Sequence, residues 1–405
     1  MLTSSLLLAA AVPAAMAQNI TFLTGLLGSL QSAGLTQIAS IAQSLNSTSE
    51  GQNVLASLSS GSPYLLLAPN DAALENAPAN VTSDANALAS VFSYHVVPGS
   101  FNGTAPKYPN TTLARTLLVN GNYVQLEGNK PQVVAWSTRA DGKVHILNQR
   151  NDSTVVNTTS FGNLTVWVVD HLLQIPQDLS TTIPADKISL TGVDAVLKTI
   201  QTPFFDSTTN ASTNVTLFDA LNTGFHGFTF FAPNTSAISL VQSQLQQLNT
   251  TAAQTVLYNH LLNGTTVYTP ELPGESFVTA AGETLSFTLN TTGTFVTDQT
   301  TNITARIVQP DVLLPNGVIH VIDRVLFNTN SDASAASSAI ASATSAATQT
   351  QSSQTAPIGF SQTSGLASPT GGSDTGSAVS AFGGASWGIL VAALGVVFGG
   401  LITVA

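Results

Sequence analysis

The chain has 405 residues, which exceeds a typical single domain and predicts two domains plus accessory segments. Only 8% of the residues are charged, with 10 Lys and Arg against 21 Asp and Glu, so a nucleic-acid partner is disfavoured because phosphate binding needs clustered basic side chains. The absence of cysteine excludes a disulfide framework, a thiolate metal site and a cysteine nucleophile.

The amino-terminal segment has the pattern of a secretory signal. A short apolar run at 6–12 is followed by Ala15 and Ala17, which are small residues at the two positions that a signal peptidase reads. We therefore expect residues 1–17 to be removed by cleavage before Gln18, and the rest of the chain to be secreted.

Three sequence blocks occur twice in the same order, which predicts two copies of one domain. We expect the join between Ile175 and Pro184, which gives domains at residues 18–178 and 184–328. The first copies of the blocks are Tyr64–Asn70, Val91–His95 and Val168–Leu173, and the second copies are Phe228–Asn234, Val256–His260 and Val321–Leu326.

The first block is a short apolar run that ends at a proline, as a strand buried on both faces does. Asn70 and Asn234 follow the two copies of this run and are good helix N-caps, so a helix is expected after each strand. In the second block, His95 falls on one apolar stripe of an amphipathic helix, and His260 takes the same place in the second copy.

The third block begins after Asn316-Gly317, a pair that predicts a hairpin turn, and continues as a core strand over 318–322. Each copy therefore has helices early and strands later. That order predicts an α+β fold class.

Asparagines in Asn-x-Ser/Thr sequons are frequent between the expected signal peptide and the C-terminal segment. Such sequons accept N-glycans in secreted proteins, so a glycan-coated surface is expected. If the side chain of Asn234 caps a helix, its own sequon should be poorly glycosylated. The other sequon asparagines are Asn19, Asn46, Asn80, Asn102, Asn110, Asn151, Asn157, Asn163, Asn210, Asn214, Asn249, Asn263, Asn290 and Asn302.

The C-terminal part has two sections. Residues 331–386 are mainly Ser, Ala, Thr, Gln and Gly, which cannot bury enough apolar surface to offset the entropy of ordering, so a disordered, O-glycosylated stalk is expected. The apolar tail 387–405 has no charged residue and follows small residues around Gly376. That order is typical of a glycosylphosphatidylinositol (GPI) anchor signal, with Gly376 as the attachment candidate; a membrane helix at the tail end is the alternative.

The three blocks resemble the conserved boxes of the fasciclin (FAS1) family. Leu65–Leu74 looks like the first box, Tyr94–Gly99 like the central Tyr-His motif, and Asn316–Asp323 like the closing box. The resemblance covers nearly all of residues 20–328, twice over. It implies two tandem fasciclin-like domains, each a β-sheet wedge flanked by helices, with roles in cell adhesion and matrix contact.

The resemblance also supplies candidate contact residues. Tyr94 and His95 form the intact motif, whereas the second copy has Asn259 before His260. A segment with Asp311 and Val312 is similar to an adhesion motif of animal relatives. The adhesion candidates are therefore Tyr94, His95, His260, Asp311 and Val312.

Simpler roles compete with adhesion at these positions. A histidine on an apolar stripe is more often a core residue whose nitrogens are hydrogen bonded, and Asp311 can be a loop acid that caps the next turn. The remaining histidines show no metal-ligand spacing, and no nucleophile elbow or phosphate-binding glycine loop occurs in the sequence. We expect no cofactor, no metal and no catalytic residue.

The sequence thus predicts a GPI-anchored adhesion glycoprotein that makes weak multivalent contacts through two heads, at the cell surface, the cell wall or the vacuole. Expected partners are extracellular-matrix, cell-wall or cell-surface proteins or glycans, and the head itself is expected to be monomeric. A wall-structural or polysaccharide-binding glycoprotein is the alternative. A surface or vacuolar enzyme is a third class, and it would need Tyr94, His95 and an acid to converge in an open cleft.

Overall fold

The structure is a computed structural model that describes residues 22, 24–101, 103–150, 152–184, 190–206, 211–349 and 354–359. The expected signal peptide, the candidate Gly376 and the apolar tail lie outside these residues, as do the sequon asparagines Asn19, Asn102, Asn151 and Asn210. Within the described ranges, no helix combines the length and the apolar character that crossing a bilayer requires.

The first domain begins with helices and ends with strands. Residues 24–32 are helical, and a 3₁₀ turn covers Glu127–Asn129. The labelled helices are α1 (Thr36–Leu45), α2 (Ser49–Leu58), α3 (Asp71–Glu75), α4 (Ala79–Thr82) and α5 (Ala85–Tyr94). The strands are β1 (Tyr64–Pro69), β2 (Val96–Pro98), β3 (Thr112–Arg115), β4 (Val133–Thr138), β5 (Val144–Ile146), β6 (Ser153–Phe161) and β7 (Leu164–Val169).

The second domain repeats this arrangement and adds a two-stranded antiparallel ribbon over 201–216. A π-helical turn covers Ala220–Gly224 and a 3₁₀ turn covers Thr269–Glu271. The helices are α6 (Leu179–Thr182), α7 (Thr191–Leu197), α8 (Leu217–Asp219), α9 (Thr235–Gln247) and α10 (Thr250–Tyr258). The strands are β8 (Gln201–Asp206), β9 (Ala211–Thr216), β10 (Phe228–Pro233), β11 (Leu261–Asn263), β12 (Ser276–Val278), β13 (Thr284–Asn290), β14 (Gly293–Asp298), β15 (Thr304–Leu313) and β16 (Val318–Ile322).

The two large sheets have the same strand order, which confirms that one folding unit is present twice. The first sheet runs β2-β1-β7-β6-β5-β4-β3, and the second runs β11-β10-β16-β15-β14-β13-β12. In each sheet the strand of the first block pairs in parallel with the strand of the third block, and the other strand pairs are antiparallel. The predicted α+β class and tandem architecture are therefore confirmed.

The central strands are buried on both faces, as their continuous apolar sequence predicts. Every residue of β10 is buried, and in β1 only Tyr64 is partly exposed. In the first domain, the side chains of β1 that point to alternate faces enter two separate apolar clusters, one on each side of the sheet. The sheet is thus the middle layer of the domain.

Helix α5 is buried more completely than a single apolar stripe implies. All residues from Leu88 to Tyr94 are buried, because Ala89 and Phe92 pack into the cluster on one side while Val91 and Tyr94 pack into the cluster on the other. The sequence identified the helix correctly but missed its second buried face.

The helix caps that follow β1 and β10, and the turn that precedes β16, form as their residue types predict. Asn70 and Asn234 cap the helices α3 and α9, each accepting a hydrogen bond from a backbone N–H three residues later. The turn at Asn316-Gly317 connects β15 to β16, and a Cβ on Gly317 would lie 2.6 Å from a ring carbon of Phe228. Only glycine allows the backbone to pass this close to the aromatic ring.

The chain passes from the hydrophobic core of the first domain to that of the second within a few residues. Ile175 packs in a core cluster of the first domain, whereas Leu179 and Ile183 pack in the core of the second. A further small cluster combines buried residues from both domains.

The first part of the expected stalk is folded. Helix α11 (Ala333–Ala347) begins at the capping residue Asp332, and Ala336 on this helix is buried. Alanine has the highest intrinsic helix propensity, and packing against the domains supplies the stabilisation that this weakly apolar sequence lacks by itself. The prediction of a disordered stalk from Ser331 onward is therefore wrong for residues 333–347, and residues 360–386 lie outside the described part of the chain.

The cap at Asn234 gives a stability test with two variants that both lack the sequon at this position. Asn234 Oδ1 accepts a hydrogen bond from the Ala237 N–H at 2.8 Å. Asn234→Ala removes this bond and should lower the free energy of unfolding by about 1 kcal/mol in urea titrations. Asn234→Asp also removes the sequon but keeps a capping oxygen, so it should unfold close to the parent; equal losses in both variants would contradict the capping role.

Candidate functional site: the buried histidines and the domain junction

His95 connects the end of helix α5 to the chain that leaves the last strand of the first domain. Its Nδ1 lies 2.7 Å from the carbonyl oxygen of Val91, and its Nε2 accepts a hydrogen bond from the Leu173 N–H at 3.0 Å. Because a carbonyl only accepts and a backbone N–H only donates, Nδ1 carries the proton and Nε2 is the acceptor. The side chain is 1% exposed.

His260 makes the same two bonds in the second domain. Its Nδ1 lies 2.7 Å from the Val256 carbonyl oxygen, and its Nε2 accepts from the Leu326 N–H at 2.9 Å. We call this pair of bonds, in each domain, the histidine tie. In each domain it joins the C-terminal end of the helix that carries the histidine (α5 or α10) to the segment after the last strand of the domain (β7 or β16). These two parts of the chain are far apart in sequence.

Both ties hold a neutral imidazole. Burial lowers the pKa of His95 to about 4 and that of His260 to about 4, and the bond to the helix carbonyl offsets only part of this effect. Each ring nitrogen is bonded to a backbone group, so neither histidine has a free nitrogen with which to take a proton from a substrate.

The residue before each histidine differs between the copies, and so does its role. The Tyr94 hydroxyl donates to the Val133 carbonyl at 3.2 Å, and burial raises the pKa of Tyr94. Asn259 is also buried, and its amide donates to the carbonyls of Asn328 and Asn330 at 3.1 and 3.0 Å. The tyrosine therefore secures its own sheet, whereas the asparagine holds the chain that leaves the second domain.

Asp311 lies at the junction of the two domains, in an irregular part of β15. Its φ is 54°, in the left-handed region that non-glycine residues seldom occupy. The carboxylate accepts from the Thr269 N–H at 2.8 Å in its own domain and from the Thr111 hydroxyl at 2.9 Å in the first domain. The Asn148 amide donates to the Asp311 carbonyl at 2.6 Å.

His320 supports Asp311 from inside the second domain. Its Nδ1 accepts from the Asp311 N–H at 3.2 Å, and its Nε2 lies 3.0 Å from the Val267 carbonyl oxygen. The ring stacks on Phe231 with the ring centroids 5.5 Å apart. Burial lowers the pKa of His320, although the nearby Asp311 carboxylate opposes the shift, so the ring is neutral and fixes the backbone of Asp311.

A second carboxylate crosses the junction in the opposite direction. Glu127 of the first domain is buried, and its Oε2 accepts from the Thr266 hydroxyl of the second domain at 2.7 Å. Its Oε1 is paired with Lys130 Nζ at 2.7 Å. A Cβ on Gly227 would lie 2.6 Å from the Cβ of Glu127, so a glycine is needed at that position for the carboxylate to enter.

Apolar contacts and backbone bonds complete the junction. The Gln125 N–H donates to the Pro315 carbonyl at 2.7 Å, and the Gln132 amide donates to the Leu314 carbonyl at 3.1 Å. The shared apolar cluster combines the buried residues Leu113, Val133, Ala135 and Leu147 of the first domain with Tyr268, Leu313 and Val318 of the second and with Ile358. The two domains thus meet through a packed, hydrogen-bonded surface.

The adhesion candidates all have buried side chains: Tyr94 0%, His95 1%, His260 0%, Asp311 0% and Val312 2% exposed. A partner that docks on this conformation would not touch them. Their adhesion role stays a prediction, and the structure gives each of them a packing or bonding role instead. Tyr94 and His95 do not line an open cleft, which a catalytic role for them would require.

Asp311 caps a turn, as expected of a loop acid, but its partners are not the ones that its place in the sequence predicts. The carboxylate does bond a backbone N–H at a helical turn, but the turn is Thr269–Glu271 and not the next turn in the chain. No sequence pattern marks the junction residues Thr111, Asn148 and Glu127, because their partners are more than a hundred residues away.

Two further histidines, His145 and His171, are paired with aspartates of the first domain. His145 has one ring nitrogen 3.0 Å from Asp152 and the other 3.0 Å from Asp141, and His171 lies 3.0 Å from Asp170. Among the residues that the structure describes, no group of three or more His, Asp or Glu side chains is arranged to hold a metal ion.

Comparison with known proteins identifies the repeated domain. The Fasciclin domain family profile matches residues 34–176 and 203–328, one segment in each of the two domains described above. The chain belongs to the fasciclin domain family. Both histidine ties and both faces of the junction fall within the matched residues.

Two individual proteins are similar to this fasciclin chain. A fasciclin-like arabinogalactan protein of Arthroderma benhamiae is 28% identical over 262 residues, covering 62% of this chain and 54% of the relative, so the chain matches about half of that protein's length. A solved FAS1 domain pair of the insect cell adhesion molecule Fasciclin I is 16% identical, with a TM-score of 0.33, and the match covers 73% of this chain and 98% of the pair.

The histidine ties predict a specific pH dependence. The native pKa of about 4 is below the value of 6.5 for an unperturbed histidine, so above pH 6.5 both states are neutral and the ties contribute fully. As the pH falls from 6.5 to 4, the unfolded chain binds a proton that the folded chain does not, which should cost about 3 kcal/mol for each histidine. Below the folded pKa the loss levels off.

Urea titrations at pH 7 and pH 4.5 measure this effect. His95→Gln keeps a donor and an acceptor but does not titrate, so it should lose less stability than the parent between the two pH values. His226→Gln replaces an exposed histidine and should follow the parent. The tie would be refuted if His95→Gln showed the same loss as the parent.

Proposed function

We propose that this protein is a secreted cell-surface adhesion glycoprotein whose two fasciclin domains form one head on a C-terminal GPI tether. The observation that carries the proposal is the exposure of sequon asparagines on both domains, which is expected of a chain that folds in the secretory pathway and presents a glycan-coated surface. These exposed residues are Asn46, Asn110, Asn157, Asn163, Asn214, Asn290 and Asn302; Asn249 is exposed too, but its side chain caps helix α10, so its sequon should be poorly glycosylated.

Adhesion is favoured over catalysis by the chemistry of the motif histidines. Both ring nitrogens of His95 and His260 are bonded to the backbone inside the core, so these residues serve the fold and not a substrate. The chain's membership of the fasciclin domain family and its similarity to a fasciclin-like arabinogalactan protein support the same conclusion, and we propose a cell-surface role for this chain on that basis.

Contact would be multivalent and weak at each face. Two binding faces on one body turn the second binding event into an intramolecular one, so faces of low affinity can sum to useful adhesion. The packed junction adds a geometric condition, since a partner must match the spacing of the two domains. Exposed sequons on β6, on β9 and at the end of β13 restrict the free faces further.

The proposed tether begins beside the junction. Gly359 lies against Pro270, next to the cluster that both domains share, and the apolar, uncharged tail 387–405 is the proposed anchor signal. The partners we propose are matrix, cell-wall or cell-surface proteins or glycans.

Bead aggregation tests the adhesive role. Beads coated with the secreted form ending at Ser386 should aggregate, and they should continue to do so after enzymatic removal of N-glycans if protein faces make the contacts. Beads coated with the same protein after unfolding in urea are the control. Binding to wall polysaccharides on an array without bead aggregation would contradict adhesion and support a polysaccharide-binding role instead.

Deleting residues 387–405 tests the anchor separately. The shortened chain should appear in the culture medium, while the full chain stays with the cells until a phospholipase that cleaves GPI anchors is added. Retention of the shortened chain on cells would contradict a lipid anchor but would leave the aggregation result unaffected.

A further inference from the structure

The chain that leaves the second domain runs back along both domains. We call residues 332–349 and 354–359 the C-terminal strap. Its start is held by the second domain, because Asn259 binds the carbonyls of Asn328 and Asn330 and the Asp332 N–H donates to the Ala281 carbonyl at 2.8 Å. A Cβ on Gly282 would overlap the carbonyl of Asp332, so the surface at this point is shaped for the strap.

Helix α11 of the strap has two distinct faces. The residues turned toward the domains are small or aliphatic, and the serines and threonines of the helix are exposed. A Cβ on Gly264 of the second domain would lie 3.2 Å from the Ala343 methyl, and a Cβ on Gly128 of the first domain would overlap the Ala347 carbonyl. The less exposed face comprises Ala335, Ala336, Ala339, Ile340, Ala343 and Ala347.

The end of the strap is seated on the first domain. The Ile358 N–H donates to the Leu113 carbonyl of β3 at 2.8 Å, and β3 is an edge strand of its sheet. The Ile358 side chain is 2% exposed within the cluster that both domains share. A Cβ on Gly99 would overlap the Thr355 carbonyl, so here too a glycine allows the strap backbone to approach.

These contacts follow one pattern. The strap is bonded to the second domain at its beginning and to the first domain at its end, and its path lies over glycines that have no room for a side chain. Family membership does not account for it, because the matched segment ends at residue 328. A loosely attached stalk has no need of glycines on the surface beneath it.

We propose that the C-terminal strap is an interdomain clasp that keeps the two fasciclin domains in one fixed orientation. It also covers the free edge of β3, where an unpaired strand could pair with another chain. Such a clasp would act whether or not the head is adhesive.

The direct junction through Glu127 and Asp311 is the competing cause of a fixed orientation, and matched glycine variants separate the two. Gly99 and Gly282 have positive φ angles and lie under the strap, whereas Gly103 and Gly274 have positive φ angles and no atom within 4 Å of a Cβ. Alanine strains the backbone at all four positions, but it collides with the strap only in Gly99→Ala and Gly282→Ala.

The distance between the domains is the readout. Since the chain has no cysteine, Ala56→Cys in α2 and Ser243→Cys in α9 place spin labels at two unique exposed sites of the full chain. Pulsed electron paramagnetic resonance should give one narrow distance peak for the parent. In Gly99→Ala, Gly282→Ala and Ile358→Asp, the fraction of molecules outside that peak should rise by about tenfold, the change that corresponds to losing one buried aliphatic contact.

The controls decide the outcome. Gly103→Ala and Gly274→Ala should keep the narrow peak, and circular dichroism should show unchanged secondary structure in every variant that is scored. An unchanged peak in all strap variants would overturn the proposal, because the direct junction would then suffice. Equal broadening in the control glycine variants would overturn it as well, because backbone strain and not the strap would be the cause.

Discussion

The structure depends on a buried, neutral histidine that bonds two backbone segments in each domain. One ring nitrogen donates to the last turn of the motif helix, and the other accepts from the chain after the closing strand. A buried histidine with an unpaired ring nitrogen would destabilise the fold, so the ring can be buried only because both of its nitrogens are hydrogen bonded. The tie fixes how the helix sits against the parallel strand pair at the centre of the sheet, and the same geometry recurs at His260.

The two copies differ where they meet and where the chain leaves them. Glu127 enters the second domain and Asp311 receives the Thr111 hydroxyl of the first, so the junction is asymmetric although the domains share one topology. Asn259, in place of a tyrosine, reaches the departing chain through two carbonyls. The two domains therefore share one topology, and side-chain contacts that are specific to each copy join them into one head.

Much of the fold could be predicted from the sequence because its signals are local. The apolar run at 65–69, the cap at Asn70 and the turn at Asn316-Gly317 each act through neighbours in the chain. Helix α11 was missed because its Ser and Ala composition resembles a disordered stalk. Its signals were the cap at Asp332 and alanines spaced three and four residues apart, and their meaning depends on a surface elsewhere in the chain.

The site was less predictable, because it is built from contacts that are distant in sequence. The resemblance marked Asp311 and the Tyr-His motif as notable residues, but it could not tell a buried bond from an exposed contact. Burial is a property of the assembled sheet and junction, and Thr111 and Asp311 are separated by 200 positions. The geometry agrees with the simpler interpretation of the motif histidines, which is that they are core residues with both nitrogens hydrogen bonded.

Nitrogen-15 NMR of the imidazole rings tests the histidine tie most directly. The account predicts that His95 and His260 both show a protonated Nδ1 and an unprotonated Nε2 at pH 7, and that neither signal titrates until the pH falls toward 4. A midpoint near 6.5 for both rings, or a proton on Nε2, would contradict the account, because the helix and the exit chain would then not be held together by these side chains.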